Sequence, residues 1–147
     1  ALVTSVLLYN CSSWGATKSV LDSVDVLQRK HLRQILRIFW PNTISNENLY
    51  KRCQVRPLTE RIAKARWKML GHVLRSGEST PAYLSFRFAC LSKGQYKGRR
   101  GAHRTNLYDI VIKDLLLKKV IPNKVMKVLD FNNLVHMAHD RVKWRNM

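Results

Sequence analysis

From Thr17 to Trp40 the apolar residues recur every three to four positions. Placed at about 100° per residue from Val20, the side chains of Val20, Leu21, Val24, Leu27, Leu32, Ile35, Ile38 and Phe39 fall on one side. This period predicts a long amphipathic helix, with Pro41 beyond its end. Ser45 is placed to cap a short helix running to about Cys53, and Pro57 opens a helix that runs to about Arg75. Ser76-Gly77 closes that helix. Its apolar arc holds Ile62, Trp67, Met69, Leu70, Val73 and Leu74, again as a stripe.

Weaker signals complete the pattern. Residues 2–9 are a short apolar run, either a strand or a buried helix end, which periodicity cannot separate. Residues 81–91 predict a short helix, and Thr105 caps another to about Lys119. Ile121-Pro122-Asn123 is a turn, with two short helices at about 123–130 and 132–145. The expected fold class is mainly α, a small helical bundle of two lobes. Residues 1–91 form the first lobe, 92–104 a basic Gly-rich loop, and 105–147 the smaller second lobe.

Charge changes the picture most. The chain of 147 residues has 27 Lys and Arg against 9 Asp and Glu, a net charge of +18. Like charge at that density repels itself, and a polyanion is the simplest compensation. An anionic membrane surface is the weaker rival, and no apolar run of roughly 18 residues exists to span a bilayer. The hydrophobic fraction of 46% excludes wholesale disorder.

The cations are ordered. Arg29, Lys30, Arg33 and Arg37 gather opposite the apolar arc of the first long helix, and no acid occurs between Asp25 and Glu47. Arg61, Lys64, Lys68 and Arg75 do the same on the second, with His72 at their edge and no acid between Glu60 and Glu78. A solvated face normally mixes signs, because Glu–Lys pairs one turn apart stabilise it. A one-sign face suits phosphate backbone. The loop Lys93 to Arg104 adds glycines that allow close backbone approach, arginines that fork onto phosphate oxygens, and Tyr96, suited to stacking on a base. It reads equally as a flexible basic linker. The candidate nucleic-acid contacts are Arg29, Arg33, Arg37, Lys64, Lys68, His72, Arg75, Arg99, Arg100 and Arg104.

Other chemistry finds little support. The nine acids lack the clustering that a two-metal phosphoryl-transfer site needs, and no P-loop or nucleophile elbow occurs. Asp22 and Asp25 are explained by a helix N-terminus, and Asp109 and Asp114 converge poorly. His136, His139 and Asp140 share a helix but lack a partner. No catalytic residue, metal site or cofactor is assigned. Cys11, Cys53 and Cys90 are widely spaced and odd in number, so idle thiols in a reducing compartment are expected rather than disulfides or zinc. Within the two helices, His31 is expected as a satisfied core histidine, and Arg66 should snorkel from the apolar arc to the surface. Gly71, costly in a helix by about 1 kcal/mol against Ala, suggests a backbone packed closely against it. Trp14, Trp67 and Trp144 are assigned to packing.

Several strings, in order, resemble the region downstream of the polymerase core in non-LTR retrotransposon reverse transcriptases of the jockey, RTE and CR1-like kind. Leu8-Tyr9-Asn10-Cys11-Ser12-Ser13-Trp14 is similar to "LYGCExW", and His31 to Trp40 to "LRRILGI.W". Pro57-Leu58, Arg61-Ile62 and Arg66-Trp67-Lys68-Met69-Leu70-Gly71-His72-Val73-Leu74-Arg75 resemble "PL..RI..RRLRWLGHVLRM". Gly98-Arg99-Arg100-Gly101 with Asp109 and Asp114-Leu115 looks like "G.RRGRP...W.D.I..DL", and Ala138-His139-Asp140-Arg141 with Trp144-Arg145 like "A.DR..WR". Asn10, Ser12, Ala102-His103 and Tyr108 depart from the pattern.

The resemblance implies a thumb-to-C-terminal region that holds RNA template and primed target DNA beside the polymerase core of the same polypeptide. Ala1 in place of Met fits a piece of a longer chain, and an intracellular setting, nucleus or cytoplasm, is expected. The chain itself is not expected to be an enzyme, since the polymerase "YxDD" carboxylates are not among its residues, whereas the parent would be an RNA-directed DNA polymerase with endonuclease. The alternatives are a stand-alone or domesticated nucleic-acid or protein-binding module, and a residual nuclease or transferase built on His and Asp.

Overall fold

A computed structural model describes residues 2–92, 106–121 and 126–146. Among them are eight α-helices, a short 3-10 turn at Cys11–Ser13, and no strand. The helices are α1 (Leu2–Leu7), α2 (Lys18–Ile35), α3 (Asn46–Cys53), α4 (Leu58–Arg75), α5 (Pro81–Leu91), α6 (Leu107–Leu117), α7 (Val128–His139) and α8 (Arg141–Asn146). The chain is therefore mainly α, as the periodicity predicts. The apolar run at the start resolves as a helix.

Local chemistry sets most of the boundaries. The Thr17 hydroxyl accepts from the Val20 N–H, and the Ser45 hydroxyl from that of Asn48, so both N-caps are side-chain caps. α2 stops five residues earlier than the periodicity suggests. Leu36 closes it, its N–H donating to Leu32, and Arg37 adopts a left-handed backbone with φ 53°. Gly77, at φ 95°, ends the turn after α4. Residues 122–125, with most of the expected turn and the start of the expected helix at 123–130, lie outside the described residues, and beyond them the chain divides into α7 and α8 rather than breaking near 131. Asp140 is extended and accepts from the N–H groups of Val142 and Lys143, so it separates α7 from α8. The expected cap at Thr105 lies outside the described residues, and Asn106 is the N-cap of α6.

The chain divides into two compact units. The first holds Ala1–Cys11 and Ala16–Ala65, the second Ser12–Gly15 and Arg66–Met147. The division thus falls within α4 rather than at the loop of residues 92–104, because α5 and the second half of α4 share one core with α6–α8. The expected loop itself lies almost wholly outside the described residues.

The second unit has a full core. Leu70, Leu74, Cys90, Leu115, Phe131, Leu134 and Ala138 are buried, and Phe131 meets Tyr83 edge-on at 5.7 Å. The first unit is thinner. Its buried apolar residues are Cys11, Leu49, Leu58 and Ile62. Here the structure corrects the sequence reading of α2. The side of α2 turned inward is centred on buried Asp25 and half-buried Gln28, Arg29 and Leu32, while Val20, Leu27 and Ile35 are 50%, 40% and 76% exposed. At about 100° per residue, that packed side is rotated by roughly 80° from the centre of the apolar arc.

Polar contacts explain the rotation. The Asp25 carboxylate accepts from the Thr59 N–H at 3.0 Å and its hydroxyl at 2.6 Å. Gln28 accepts from the Leu58 N–H and donates to the Arg56 carbonyl. These bonds satisfy backbone groups at the start of α4 that would otherwise lack partners. Asp25 is therefore a cap for α4, not a charge serving its own helix N-terminus.

Candidate nucleic-acid interface

The ten predicted contact residues fall into three groups. Three, Arg29, Arg33 and Arg75, are tied into the fold. The Arg29 guanidinium donates to the Tyr50 hydroxyl at 3.5 Å, and Arg33 donates to the Asn46 side chain at 2.7 Å and the Ile44 carbonyl at 3.2 Å. Both hold α3 and its approach against α2. Arg75 donates to the Ala138 carbonyl at 2.8 Å, at the C-terminal part of α7. Arg37, just past the end of α2, carries its left-handed backbone there but has an exposed side chain.

Lys64, Lys68 and His72 are exposed along α4. Lys64 belongs to the first unit, and Lys68 and His72 to the second. Arg99, Arg100 and Arg104 lie outside the described residues. Two exposed cations, Lys30 and Arg61, share the helical faces named from the sequence and belong with the candidates. For Lys30 the signal is the inward use of Arg29 and Arg33, which leaves the flank of α2 near Lys30 facing water.

The acids show why these cations keep their charge uncompensated. Asp25 caps α4; Asp109 and Asp130 accept from the N–H groups of Asn106 and Lys127; Asp140 caps α8. Among the described residues, ion pairs join Lys51 to Glu47 at 3.0 Å, Arg56 to Glu60 at 3.8 Å, and Arg66 to Asp114 at 2.7 Å. Most of the nine acids thus act on backbone termini or on cations other than the candidates. No group of three His, Cys, Asp or Glu side chains that could hold a metal ion occurs among the described residues.

Arg66 corrects another expectation. It does not snorkel: at 4% exposure it is buried, with Nε and Nη2 both on Asp114 Oδ2, and its Nη1 has no hydrogen-bond partner among the described residues. The acid that converges poorly with Asp109 is its counter-ion. Next to it, Trp67 and Trp144 stack with ring centres 4.1 Å apart and planes 5° from parallel. Each indole N–H donates to the other residue's carbonyl, at 2.8 and 3.2 Å. Gly71 lies beneath the Trp144 ring, so the close neighbour is a side chain rather than a backbone. Lys118 sits 5.0 Å from the centre of the Trp67 ring.

One titration follows from this packing. Burial first, then the Cys90 thiol and the Asp109 carboxylate, push the Tyr108 hydroxyl up to about 12 from 10.0. The folded state then holds this proton more tightly than the unfolded chain. Its contribution to stability is complete below pH 10 and lost as pH rises through about 12. Denaturant midpoints measured across that window should fall with pH. In Tyr108→Phe the fall should be shallower.

Among the described residues no helix is long and apolar enough to cross a membrane. No family model matches the chain, and no curated protein or solved structure is found similar to it.

Proposed function

We propose that this chain is a nucleic-acid-binding accessory region of a retroelement reverse transcriptase, gripping the backbone of template RNA or target DNA beside a polymerase core. The observation that carries the reading is the set of exposed cations Lys30, Arg37, Arg61, Lys64 and Lys68, which no ion pair among the described residues neutralises. Such side chains release counter-ions from a phosphate backbone when they bind it. They contact phosphate rather than base edges, so the grip is independent of sequence. The retroelement assignment rests on the ordered strings from Leu8 to Arg145.

Two comparisons test the grip. Lys64→Ala with Lys68→Ala should leave thermal stability unchanged and make the log affinity against log salt shallower by about 0.9 per lysine on duplex DNA. Arg33→Ala should act the other way. It removes two hydrogen bonds that hold α3, so stability drops by about 1–2 kcal/mol while the salt slope barely moves. Equal slopes in wild type and the double lysine variant would contradict the assignment of these residues. The retroelement part is tested by transcript mapping. A polymerase "YxDD" segment upstream in the same reading frame supports it, and a transcript that encodes this region alone contradicts it.

A further inference from the structure

The rotation of α2 leaves an apolar groove in the first unit, and we infer that it is the docking site of an acidic amphipathic helix from a partner. The groove encloses about 700 Å³. Val3 and Leu7 of α1 form one wall, and Leu27, His31 and Ile35 of α2 form the other. Leu58 is its buried floor. Val3 is 72% exposed and Ile35 76%, so large apolar side chains face water where the first unit has few buried ones of its own. His31, expected in a core, is instead exposed on this wall.

The occupant follows from shape and charge. Leu27, His31 and Ile35 are spaced one helical turn apart, and span about 12 Å at 1.5 Å per residue. That row accepts the ridge of a second helix. An extended peptide would need backbone partners. The polar floor residue Gln28 already spends its amide on Arg56 and Leu58, and no strand edge lines the groove. A helix satisfies its own backbone and needs none. The charged side chains lining the groove are Arg56 and Arg61, with no carboxylate among them. Arg56 has only a loose contact with Glu60, at 3.8 Å and largely exposed. An acidic flank on the incoming helix complements that rim. A second copy of this chain would bring another +18 of like charge to it.

The test uses a synthetic stapled helix with leucines at i, i+4, i+7 and i+11 flanked by glutamates, titrated onto the full chain by fluorescence anisotropy. Micromolar binding is expected, weakening as salt rises. Val3→Asp with Ile35→Asp should weaken it at least tenfold while circular dichroism stays unchanged, since both side chains are exposed. Lys64→Ala with Lys68→Ala should bind the helix as wild type does, which separates this site from the phosphate grip. A lysine-for-glutamate version of the helix should bind at least tenfold more weakly. Equal binding of both helices, or no effect of the aspartate variants, would overturn the inference. So would self-association of the chain, or binding to phosphatidylserine vesicles, that the aspartate variants abolish while the acidic helix fails to bind.

Discussion

Asp114→Ala should lower the stability of the second unit by about 3 kcal/mol or more, read as a loss of denaturant midpoint. Arg66 is buried and Asp114 is its counter-ion, with Nη2 at 2.7 Å and Nε at 2.8 Å. Removing the acid strands a charge in the interior, which costs about 3–5 kcal/mol for a fully buried pair. Asp114 keeps 28% of its side chain exposed, so water can reach part of the stranded guanidinium and the lower end applies. Among the described residues Nη1 of the guanidinium already lacks a partner, so these residues offer little spare hydrogen bonding to absorb the loss. Against a total of about 5–15 kcal/mol for a domain, this is a large fraction. Removing both charges is a different experiment. Arg66→Met with Asp114→Leu should fall within about 1 kcal/mol of wild type, because a packed apolar pair avoids the desolvation cost. If the double variant is as unstable as Asp114→Ala, the pair does not hold the interior as described.

Trp144→Ala should be as damaging, at about 3–5 kcal/mol, and should detach α8. The ring is buried at 3% exposure and stacked on Trp67, and each indole bonds to the other residue's backbone. Truncation leaves a cavity, removes the indole bond to the Trp67 carbonyl and loses the stack. Gly71→Ala probes the same contact from beneath. An added Cβ would meet the Trp144 indole nitrogen, its Cδ1 at 2.8 Å and the Arg75 guanidinium at 2.9 Å. Alanine gains about 1 kcal/mol of helix propensity over glycine. Displacing an indole held by its bond to the Trp67 carbonyl and by the stack on the Trp67 ring costs more, and a net loss of about 2 kcal/mol is expected. Thermal unfolding of the two variants, followed by tryptophan fluorescence, measures both effects. A more stable Gly71→Ala would mean the ring has room to move.

These residues also show how far the sequence could be read. The helical class, α3 with its Ser45 cap, α4 and α5 were legible because each depends on local signals: period, cap and proline. The packing roles of Trp67 and Trp144 were legible from bulk and position, but their reciprocal bonding was not, since it joins positions 77 apart. The orientation of α2 was not legible either. Its wheel places Asp25 just beyond the apolar arc and Arg29 and Arg33 well outside it, whereas tertiary hydrogen bonds to Thr59, Tyr50 and Asn46 draw them inward. A stripe of arginines on a wheel does not distinguish cations that meet phosphate from cations that hold a neighbouring helix. Arg66 misleads similarly, because its counter-ion lies 48 residues away on α6. The α7–α8 boundary at Asp140 did have a local signal, an acid that can cap, and the apolar period across it obscured that signal.

Among the described residues the candidate interface is smaller than the charge count suggests, and Arg99, Arg100 and Arg104 lie outside them. Arg29, Arg33 and Arg75 belong to the scaffold, and the outward set is Lys30, Arg37, Arg61, Lys64, Lys68 and His72. The most direct measurement is the affinity of the full chain for duplex DNA, single-stranded RNA and their hybrid across a salt series. The expected result is a log–log slope of about −0.9 per phosphate engaged on duplex DNA and about −0.7 on single strands, steeper than about −2 overall and alike for unrelated sequences. A slope near zero, or binding confined to one sequence, would contradict a phosphate-backbone grip.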